Sequence, residues 1–346
     1  MNLEERTDKS SGKIALIGLD WGTSSLRTYL MECGGEVLAE RKLPLGIMHL
    51  DFSGTEKDKR LAFDSALKEA CGDWLISSPT IPVVACGMVG SAQGWHEVPY
   101  LDTPVRLDQL SRHLTPILTE DGRVVFVVPG LKQTTEPVNV MRGEETQLAG
   151  CMAGMLPMDK DSTVLIGLPG THSKWVTLKT ECVQHCETFM TGEVFEALCK
   201  HTILGRTMQS GGEEEPAAFD FGVQTAVRHS ARGGVLSTIF TSRSLGLMGV
   251  LSAREQPAYL SGLLIGEEIA AVLRTHGEQL NSTSIRPELL LLVGDQRLCL
   301  QYQRAIQLVS GEEATVVADA SSRGLWRIAA QANLISPVLT QKGAKC

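Results

Sequence analysis

The spacing of hydrophobic and polar positions along the chain predicts mixed α/β secondary structure. Residues 14–19, IALIGL, are a short run of branched apolar residues, which is typical of a buried strand. The segments LRTYLM and EVLAERK follow across short turns and alternate apolar with polar positions, which indicates two more strands. The chain therefore begins as an antiparallel meander, and the turn between its first two strands lies in DWGTSS.

The same arrangement returns in the second half of the chain. TVLIGLPGTHSKWVTLK, residues 163–179, again places an apolar strand, a turn of small hydroxylated residues and an alternating strand in succession. The turn GTSS of the first half recurs as GTHS. Between the halves, the polar segment PMDKDS breaks the periodicity, so we predict domains at 1–160 and 161–346, with the final helix able to pack back on the first.

The remaining periodicity predicts further helices and strands. Gly262 and Gly266 lie on one face of a predicted long helix and allow close approach to another helix. Thr191 is the predicted cap of another helix, and Gly205 its stop. The predicted helices are 58–76, one from about 144, 191–205, 256–275, RLCLQYQRAIQL and RGLWRIAAQANLI, and the predicted strands are 83–86, 123–128 and 288–293.

Composition narrows the class of protein. The chain has 346 residues, which is enough for two domains, and its 43% hydrophobic and 21% charged residues are typical of a globular protein. A net charge of −8 argues against a nucleic-acid partner, and charges interrupt the apolar runs before they reach membrane-spanning length. The nine cysteines form no disulfide framework, which favours free thiols in the cytoplasm. A homo-oligomer remains open.

Small hydroxylated residues in both turns indicate phosphate chemistry. Backbone N–H groups in such turns can point at one phosphate, and glycine lets the backbone approach it. Asp20 precedes the first turn, where it could hold a hydrated Mg²⁺ on a nucleotide. Either turn alone could be a plain hairpin, but two matching turns and a later VGD segment favour a phosphate cleft. The candidate phosphate-binding residues are Gly22, Thr23, Ser24, Gly170, Thr171, His172, Ser173, Gly294 and Asp295.

These motifs resemble a known superfamily in their order along the chain. LDWGTSSLRTYL and LPGTHSKWV are similar to the two phosphate motifs of the actin, hexokinase and chaperone ATPases, and LLLVGDQRLCLQY is similar to their adenosine motif. The second turn departs from many members because no acidic residue precedes it. The resemblance implies two ribonuclease-H-like α/β domains around a nucleotide cleft, with ATP and Mg²⁺ as cofactors.

A narrower resemblance, over about residues 14–335, is to the 2-dehydro-3-deoxygalactonokinase family. It is carried by GMVGSAQGWHEVPYLDTP, MRGEETQLAG, LPGTHSKWV, FMTGEVFEAL, SRSLGLMG and YLSGLLIGEEI. This resemblance implies that ATP phosphorylates the 6-hydroxyl of 2-dehydro-3-deoxy-D-galactonate. The partners it implies are therefore a small sugar acid and a nucleotide.

Within that resemblance, GEETQLAG is similar in placement to the GDxQ segment of carbohydrate kinases. Glu144 is then the candidate base for the sugar hydroxyl, with Asp20 as its rival and Glu145 as a helix-start residue.

The substrate carboxylate needs a positive group in an acidic protein, and arginine suits it best. Arg142 and Arg27 are the candidates. Ser91, Trp95 and Glu97 of the loop GSAQGWHEVPY are candidates for covering and binding the sugar.

Three other functions remain open from the sequence. The first is a kinase for another sugar or sugar acid. The second is an actin-like or chaperone-like ATPase, which would not need the tryptophan-bearing loop at 87–104. The third is a non-catalytic sensor of sugar acids, for which the chain offers no helix-turn-helix extension.

Overall fold

The described residues form two compact units. A computed structural model of the chain describes residues 13–52, 54–153, 162–209, 215–279 and 289–335. Among these, the first unit contains 13–153, 181–183 and 319–335, and the second contains 162–180 and 184–318. The predicted boundary near residue 160 and the acidic segment 211–214 lie outside the described residues.

The first unit is built on a six-stranded sheet with the order β3-β2-β1-β4-β8-β7. Strands β1, β2 and β3 form the predicted antiparallel meander, while β4 and β8 run parallel to β1. The strands are β1 Ile14–Trp21, β2 Leu26–Glu32, β3 Val37–Leu43, β4 Val83–Gly87, β5 Tyr100–Asp102, β6 Val105–Arg106, β7 Thr115–Leu118, β8 Val124–Val127, β9 Gly130–Gln133 and β10 Asn139–Met141, and the helices are α1 Glu56–Ser77, α2 Gln109–Arg112 and α3 Glu144–Met152.

The second unit repeats this topology. Its strands follow the order β15-β14-β11-β12-β13, with β11, β12 and β13 consecutive in the chain and β14 and β15 parallel to β11. The strands are β11 Thr163–Leu168, β12 Ser173–Lys179, β13 Cys182–Phe189, β14 Leu289–Val293 and β15 Thr315–Val317, and the helices are α4 Thr191–His201, α5 Pro216–Thr238, α6 Thr241–Leu247, α7 Glu255–Gln279 and α8 Gln296–Ser310. The predicted fold class, two ribonuclease-H-like α/β units, is confirmed.

The last helix, α9 (Ala320–Gln331), belongs to the first unit and packs against α3 and β1. Two glycines permit the contact with α3: a Cβ at Gly150 would lie 1.9 Å from the carbonyl oxygen of Ala320, and a Cβ at Gly324 would lie 1.9 Å from that of Thr146. The chain thus returns to its first unit, and residues 320–324 of α9 lie along α3.

Two predicted helix signals were wrong. The N-cap of α4 is Met190, and the side chain of Thr191 instead donates a hydrogen bond to Glu268 of α7. The helix ends at His201, and Gly205 lies in a separate 3₁₀ turn, where a Cβ would lie 1.6 Å from the carbonyl oxygen of Cys199. Gly205 therefore serves close packing rather than helix termination.

Helices α5 and α7 pack closely, as the glycine face of α7 predicted. A Cβ at Gly262 would lie 2.0 Å from the carbonyl oxygen of Phe219, and a Cβ at Gly266 would lie 3.0 Å from the Cα of Val223. No helix of the described residues combines the length and the apolar character needed to cross a membrane.

Gly262→Ala should therefore lower the free energy of unfolding by about 1–3 kcal/mol, the usual cost of overpacking. Gly72→Ala in α1 is the matched control, because its Cβ would meet nothing closer than 3.8 Å and should leave stability unchanged or slightly raised. Thermal and urea unfolding measure both variants, and equal stability of the two would contradict the close helix contact.

Candidate functional site

Three carboxylates surround a buried thiol in the first unit. Asp20 near the end of β1 pairs in register with Cys86 near the end of β4. Burial, followed by the negative charges of Asp20, Glu145 and Glu144, holds the pKa of the Cys86 thiol well above its usual value. The sequence could not show that Asp20 and the α3 glutamates, far apart in the chain, share one neighbour.

Glycines allow α3 to begin at this position. Gly87 at the end of β4 has φ of +92°, and Gly143 just before α3 has φ of +113°, a region that side chains rarely adopt. A Cβ at Gly143 would lie 3.3 Å from the Cα of Gly87, so the two backbones are in direct contact. The N-terminus of α3 is consequently fixed against the end of β4.

The two glutamates of α3 have different surroundings. Glu145 is 0% exposed, its Oε2 accepts from the Gly143 N–H at 2.6 Å and its Oε1 accepts from the Thr146 hydroxyl at 3.1 Å. Burial first, and then the charge of Glu144, raise the pKa of Glu145 to about 8. Glu144 is half-buried, and its Oε2 accepts from the Arg142 N–H at 2.9 Å. Of the pair, Glu144 is thus the carboxylate with access to solvent.

Asp20 is also half-buried and is linked to α3 through α9. It accepts a hydrogen bond from Ser321 of α9, whose oxygen in turn accepts from the Gln147 amide at 3.3 Å. Burial raises the pKa of Asp20, while the Ser321 hydrogen bond and the positive charge of Arg27 oppose that rise. Arg27 pairs with Asp20 in register across β1 and β2. Ser321 had no signal in the sequence that marked it as a site residue, whereas Gln147 belongs to the segment GEETQLAG.

Arg142 is a buried cation with one donor group unused. The residue is 8% exposed, its Nη2 donates to the Val98 carbonyl at 2.7 Å and its guanidinium lies 4.1 Å from the centre of the Tyr100 ring. Within the described part of the chain, its buried Nη1 has no hydrogen-bond partner. A Cβ at Gly90 would lie 2.9 Å from that Nη1, so this group faces the residue just before Ser91.

Ser91 adds a second unused polar group. Its hydroxyl oxygen is buried and likewise has no partner among the described residues. Buried polar groups are normally paired, because an unpaired one loses its hydration without compensation. The Nη1 of Arg142 and the hydroxyl of Ser91 are therefore two buried polar groups whose partner the described residues do not supply.

Trp95 is not available to cover a sugar. It is 2% exposed and packs in the core of the first unit against Phe63, with ring centres 5.8 Å apart, and against Trp21 at 5.9 Å. Its predicted role in substrate binding is corrected to a core role. Glu97 of the same loop is exposed.

The first predicted phosphate turn, residues 22–24, is supported by the backbone of residues 46–48. The N–H groups of Ile47 and Met48 donate to the carbonyl oxygens of Gly22 and Thr23 at 3.1 Å each. A Cβ at Gly46 would lie 2.3 Å from the Thr23 carbonyl oxygen, so the support is close. Thr23 and Ser24 remain exposed at the tip of the turn.

The second predicted phosphate turn, residues 170–173, packs against the start of α4. The Glu193 N–H donates to the Thr171 carbonyl at 3.0 Å, and a Cβ at Gly192 would lie 2.5 Å from the Gly170 carbonyl oxygen. Thr171 and His172 are exposed, and His172 Nε2 pairs with the Glu193 carboxylate.

Ser173, which the sequence placed among the phosphate ligands, is fully buried, and its hydroxyl pairs with that of Tyr302 at 2.8 Å. That hydroxyl is thus corrected from a phosphate donor to a buried anchor of the turn.

Gly294 lies beside the second turn in the same unit. A Cβ at Gly294 would lie 3.1 Å from the Pro169 carbonyl oxygen, and its φ of +145° suits glycine. Asp295 caps α8 by accepting from the Leu298 N–H at 3.1 Å, and it is exposed. The structure therefore brings the second turn and the VGD segment together.

A large cavity of about 1380 Å³ opens beside the second turn within the second unit. Gly192, which contacts the turn, lines one part of it, and α4, α5, α7, α8 and residues 313–315 line much of the rest. The wall is mixed, with Phe195 and Pro257 as apolar surface, Arg254 and Arg297 as cations, and Glu196, Glu215 and Glu313 as carboxylates. A cavity of this size and mixed lining can hold a small molecule that has both apolar and polar parts. Part of this lining lies in the segments FMTGEVFEAL and LLLVGDQRLCLQY, whereas the residues on α5 had no signal in the sequence.

Comparisons with known proteins agree over most of the chain. The 2-keto-3-deoxy-galactonokinase family matches residues 20–328. A Rhizobium meliloti (strain 1021) protein assigned as 2-dehydro-3-deoxygalactonokinase is 34% identical over 320 residues, which are 91% of this chain and 96% of the relative. The 2-dehydro-3-deoxygalactonokinase of Escherichia coli (strain K12) is 31% identical over 304 residues, 88% and 93% of the two chains.

A solved structure agrees as well. The crystal structure of a Sinorhizobium meliloti protein assigned as 2-dehydro-3-deoxygalactonokinase has 33% sequence identity and a TM-score of 0.76. The match covers 91% of this chain and 98% of that one. The likeness therefore includes both units.

Proposed function

Since the chain belongs to the 2-keto-3-deoxy-galactonokinase family, we propose that it transfers the γ-phosphoryl group of ATP to the 6-hydroxyl of 2-dehydro-3-deoxy-D-galactonate. One observation in the structure supports this proposal: two suitable groups occur close together in the chain of one unit. They are the solvent-accessible carboxylate of Glu144 at the start of α3 and the buried Arg142, whose Nη1 is unpaired. A sugar acid needs both groups, one for its hydroxyl and one for its carboxylate.

Glu144 is the base in this proposal. The sugar hydroxyl oxygen attacks the γ-phosphorus, its proton passes to the Glu144 carboxylate, and the bond to the β-phosphate oxygen breaks to release ADP. Phosphoryl transfer depends mainly on positioning and charge, so the base chiefly orients the hydroxyl. The hydrogen bond from the Arg142 N–H holds the Glu144 carboxylate in place, whereas Glu145 is enclosed and already bonded to backbone and side chain.

Arg142 and Ser91 are the proposed ligands of the substrate carboxylate. The Arg142 side chain is already ordered by Val98 and Tyr100, so binding loses little side-chain entropy. The Nη1 group and the Ser91 hydroxyl are both donors, which is what a carboxylate requires. Arg27 and Glu97 stay as further candidates for contacts to the sugar acid.

The proposed nucleotide site is the cavity of the second unit together with the second turn beside it. Gly170, Thr171 and His172 offer backbone N–H groups and side-chain donors to phosphates, and the neighbouring cavity has room for adenosine. Gly294 and Asp295 border the second turn, while Gly22, Thr23 and Ser24 form the equivalent turn of the first unit.

Mg²⁺ is the proposed metal, and Asp20 its proposed protein ligand. No group of three or more His, Cys, Asp or Glu side chains in the described ranges is arranged to hold a metal ion. A single carboxylate fits Mg²⁺ on ATP, which usually keeps several waters and takes oxygens from phosphates. When bound, the ion would neutralise charge on the phosphates.

Asp20→Asn should raise the Mg²⁺ concentration for half-maximal rate by about tenfold or more, because an amide is a weaker ligand than a carboxylate. High Mg²⁺ should partly restore the rate. Asp73→Asn is the matched control, since that carboxylate pairs with Arg41 on the surface. Steady-state rates over a Mg²⁺ series decide the matter, and a wild-type Mg²⁺ profile for Asp20→Asn would remove Asp20 from the metal site.

The position of transfer can be read directly from the product. Phosphorus NMR of the product should show a phosphomonoester signal split into a triplet by the two hydrogens on C6. A doublet would indicate transfer to a secondary hydroxyl and would contradict the proposed regiochemistry.

A further inference from the structure

A buried carboxylate of the second unit has no role in the reaction described above. Glu268 of α7 is 3% exposed, and each of its hydrogen bonds comes from a neutral donor. Its Oε1 accepts from the Trp175 indole N–H at 2.7 Å. Its Oε2 accepts from the Tyr302 hydroxyl at 2.8 Å and from the Thr191 hydroxyl. Its partners lie on β12, α4 and α8, so one side chain joins four elements.

Ser173 is linked to the same carboxylate. Its hydroxyl lies 2.8 Å from that of Tyr302, which donates to Glu268, and Ser173 is itself hydrogen-bonded to Glu268. Ser173 is the first residue of β12 and follows directly after the second phosphate turn. The acceptor oxygen of Glu268 therefore fixes the outgoing end of that turn.

A second connection from Glu268 to the turn runs through Thr191 and the start of α4. Thr191 is the first residue of α4, and its hydroxyl is bonded to Glu268. The next two residues make the contacts with the turn: Gly192 packs against Gly170, and the Glu193 N–H donates to Thr171. Anchoring Thr191 therefore fixes the surface on which the turn rests.

We infer that Glu268 is a positioning residue that holds the second phosphate turn in its nucleotide-binding geometry from both of its sides. This inference rests on the proposed nucleotide site and extends it to a residue that does not touch the ligand. Backbone donors bind phosphate well only when their directions are fixed in advance. The carboxylate supplies that constraint because it accepts from all its partners, which an amide of the same shape cannot do.

The test is ADP affinity by calorimetry in the full chain. Glu268→Gln keeps the volume but makes one donor face another donor, at Trp175 or at the hydroxyl pair. We expect the Kd for ADP to rise about tenfold, while the Kd for the sugar acid stays within about twofold. Thr191→Val should raise the ADP Kd by a similar factor, because it removes the hydrogen bond from α4 to Glu268. Thr191→Ser keeps a hydroxyl at this position and should have wild-type affinity for ADP.

Asp64→Asn is the control for lost stability alone. Asp64 is another buried carboxylate, on α1 of the first unit, and it accepts from the Glu120 N–H at 2.7 Å. Its ADP Kd should match wild type even if it melts earlier.

Wild-type ADP affinity in both Glu268→Gln and Thr191→Val would overturn the inference and leave the proposed function intact. If Glu268→Gln fails to fold, the comparison of Thr191→Val with Thr191→Ser decides alone. A wild-type protein that binds no ADP would instead overturn the proposed nucleotide site.

Discussion

Glu144→Gln should reduce kcat by roughly 10²-fold or more while ATP binding and folding remain close to wild type. That factor is the usual contribution of a positioned general base. The amide keeps the size of the side chain and can still accept from the Arg142 N–H, so α3 should begin as before. What it loses is the ability to take the proton of the sugar hydroxyl. Single-turnover phosphorylation with saturating ATP and sugar acid measures this step directly.

Glu145→Gln is the matched control one residue away. Its side chain is enclosed and bonded to Gly143 and Thr146, so turnover should stay within about tenfold of wild type. If Glu145→Gln loses as much turnover as Glu144→Gln is expected to lose, or Glu144→Gln turns over normally, Glu144 is not the base.

Glu145→Gln should also change how the stability of the protein depends on pH. Folding raises the pKa of Glu145 from 4.5 to about 8, so the native state favours the protonated carboxyl. The stability this gives is fully present below about pH 4.5 and is lost as pH rises through 8. Glu145→Gln removes this loss, so the variant should gain stability relative to wild type at alkaline pH. Urea unfolding at about pH 6 and at about pH 9 measures the difference.

Arg142→Met should weaken binding of the sugar acid by about 10²-fold, the scale expected when a buried charge pair loses one partner. The effect should be found in KM for the acid, with kcat changed less, because the carboxylate is bound in the ground state as well as in the transition state. ATP affinity should be unchanged. Lysine at this position should restore only part of the binding, since it lacks the planar fork that the Val98 and Tyr100 contacts orient.

Arg123→Met separates this effect from lost stability. Arg123 is half-buried, donates to the Pro79 carbonyl at 2.8 Å and, like Arg142, has an unpaired buried guanidinium nitrogen, but it lies outside the proposed site. This variant should lose stability without losing affinity for the sugar acid. Equal KM values for the acid in Arg142→Met and in wild type would exclude Arg142 as the carboxylate ligand.

The parts of the fold that depend on local pattern could be predicted from the sequence. The meander at 14–43 and the repeat at 163–179 were predictable because each strand carries its own apolar pattern and each turn its own small residues. The close packing of another helix on α7 could also be predicted, since helical spacing alone places Gly262 and Gly266 on one face.

The parts that depend on distant partners could not be predicted. Trp95 is buried because Trp21 and Phe63 lie against it, and neither is near it in sequence. Ser173 looks like a phosphate ligand by composition, but Tyr302, 129 residues later, occupies its hydroxyl.

Which of Glu144 and Glu145 is buried also depends on residues that are distant in the sequence. Both begin α3, and only the packing of that helix in the first unit decides which carboxylate is enclosed. The position directly after the glycine favours Glu144 as the base, and the Glu144→Gln variant tests that role.

The central claim is that the chain phosphorylates a sugar acid rather than hydrolysing ATP or acting on neutral sugars. ADP release by the purified protein, followed with ATP alone, with 2-dehydro-3-deoxy-D-galactonate and with neutral hexoses, tests it most directly. The account predicts rapid ADP release with the sugar acid and only a slow background in the other two cases. ADP release that is as fast without the acid, or as fast with a neutral hexose, would contradict it.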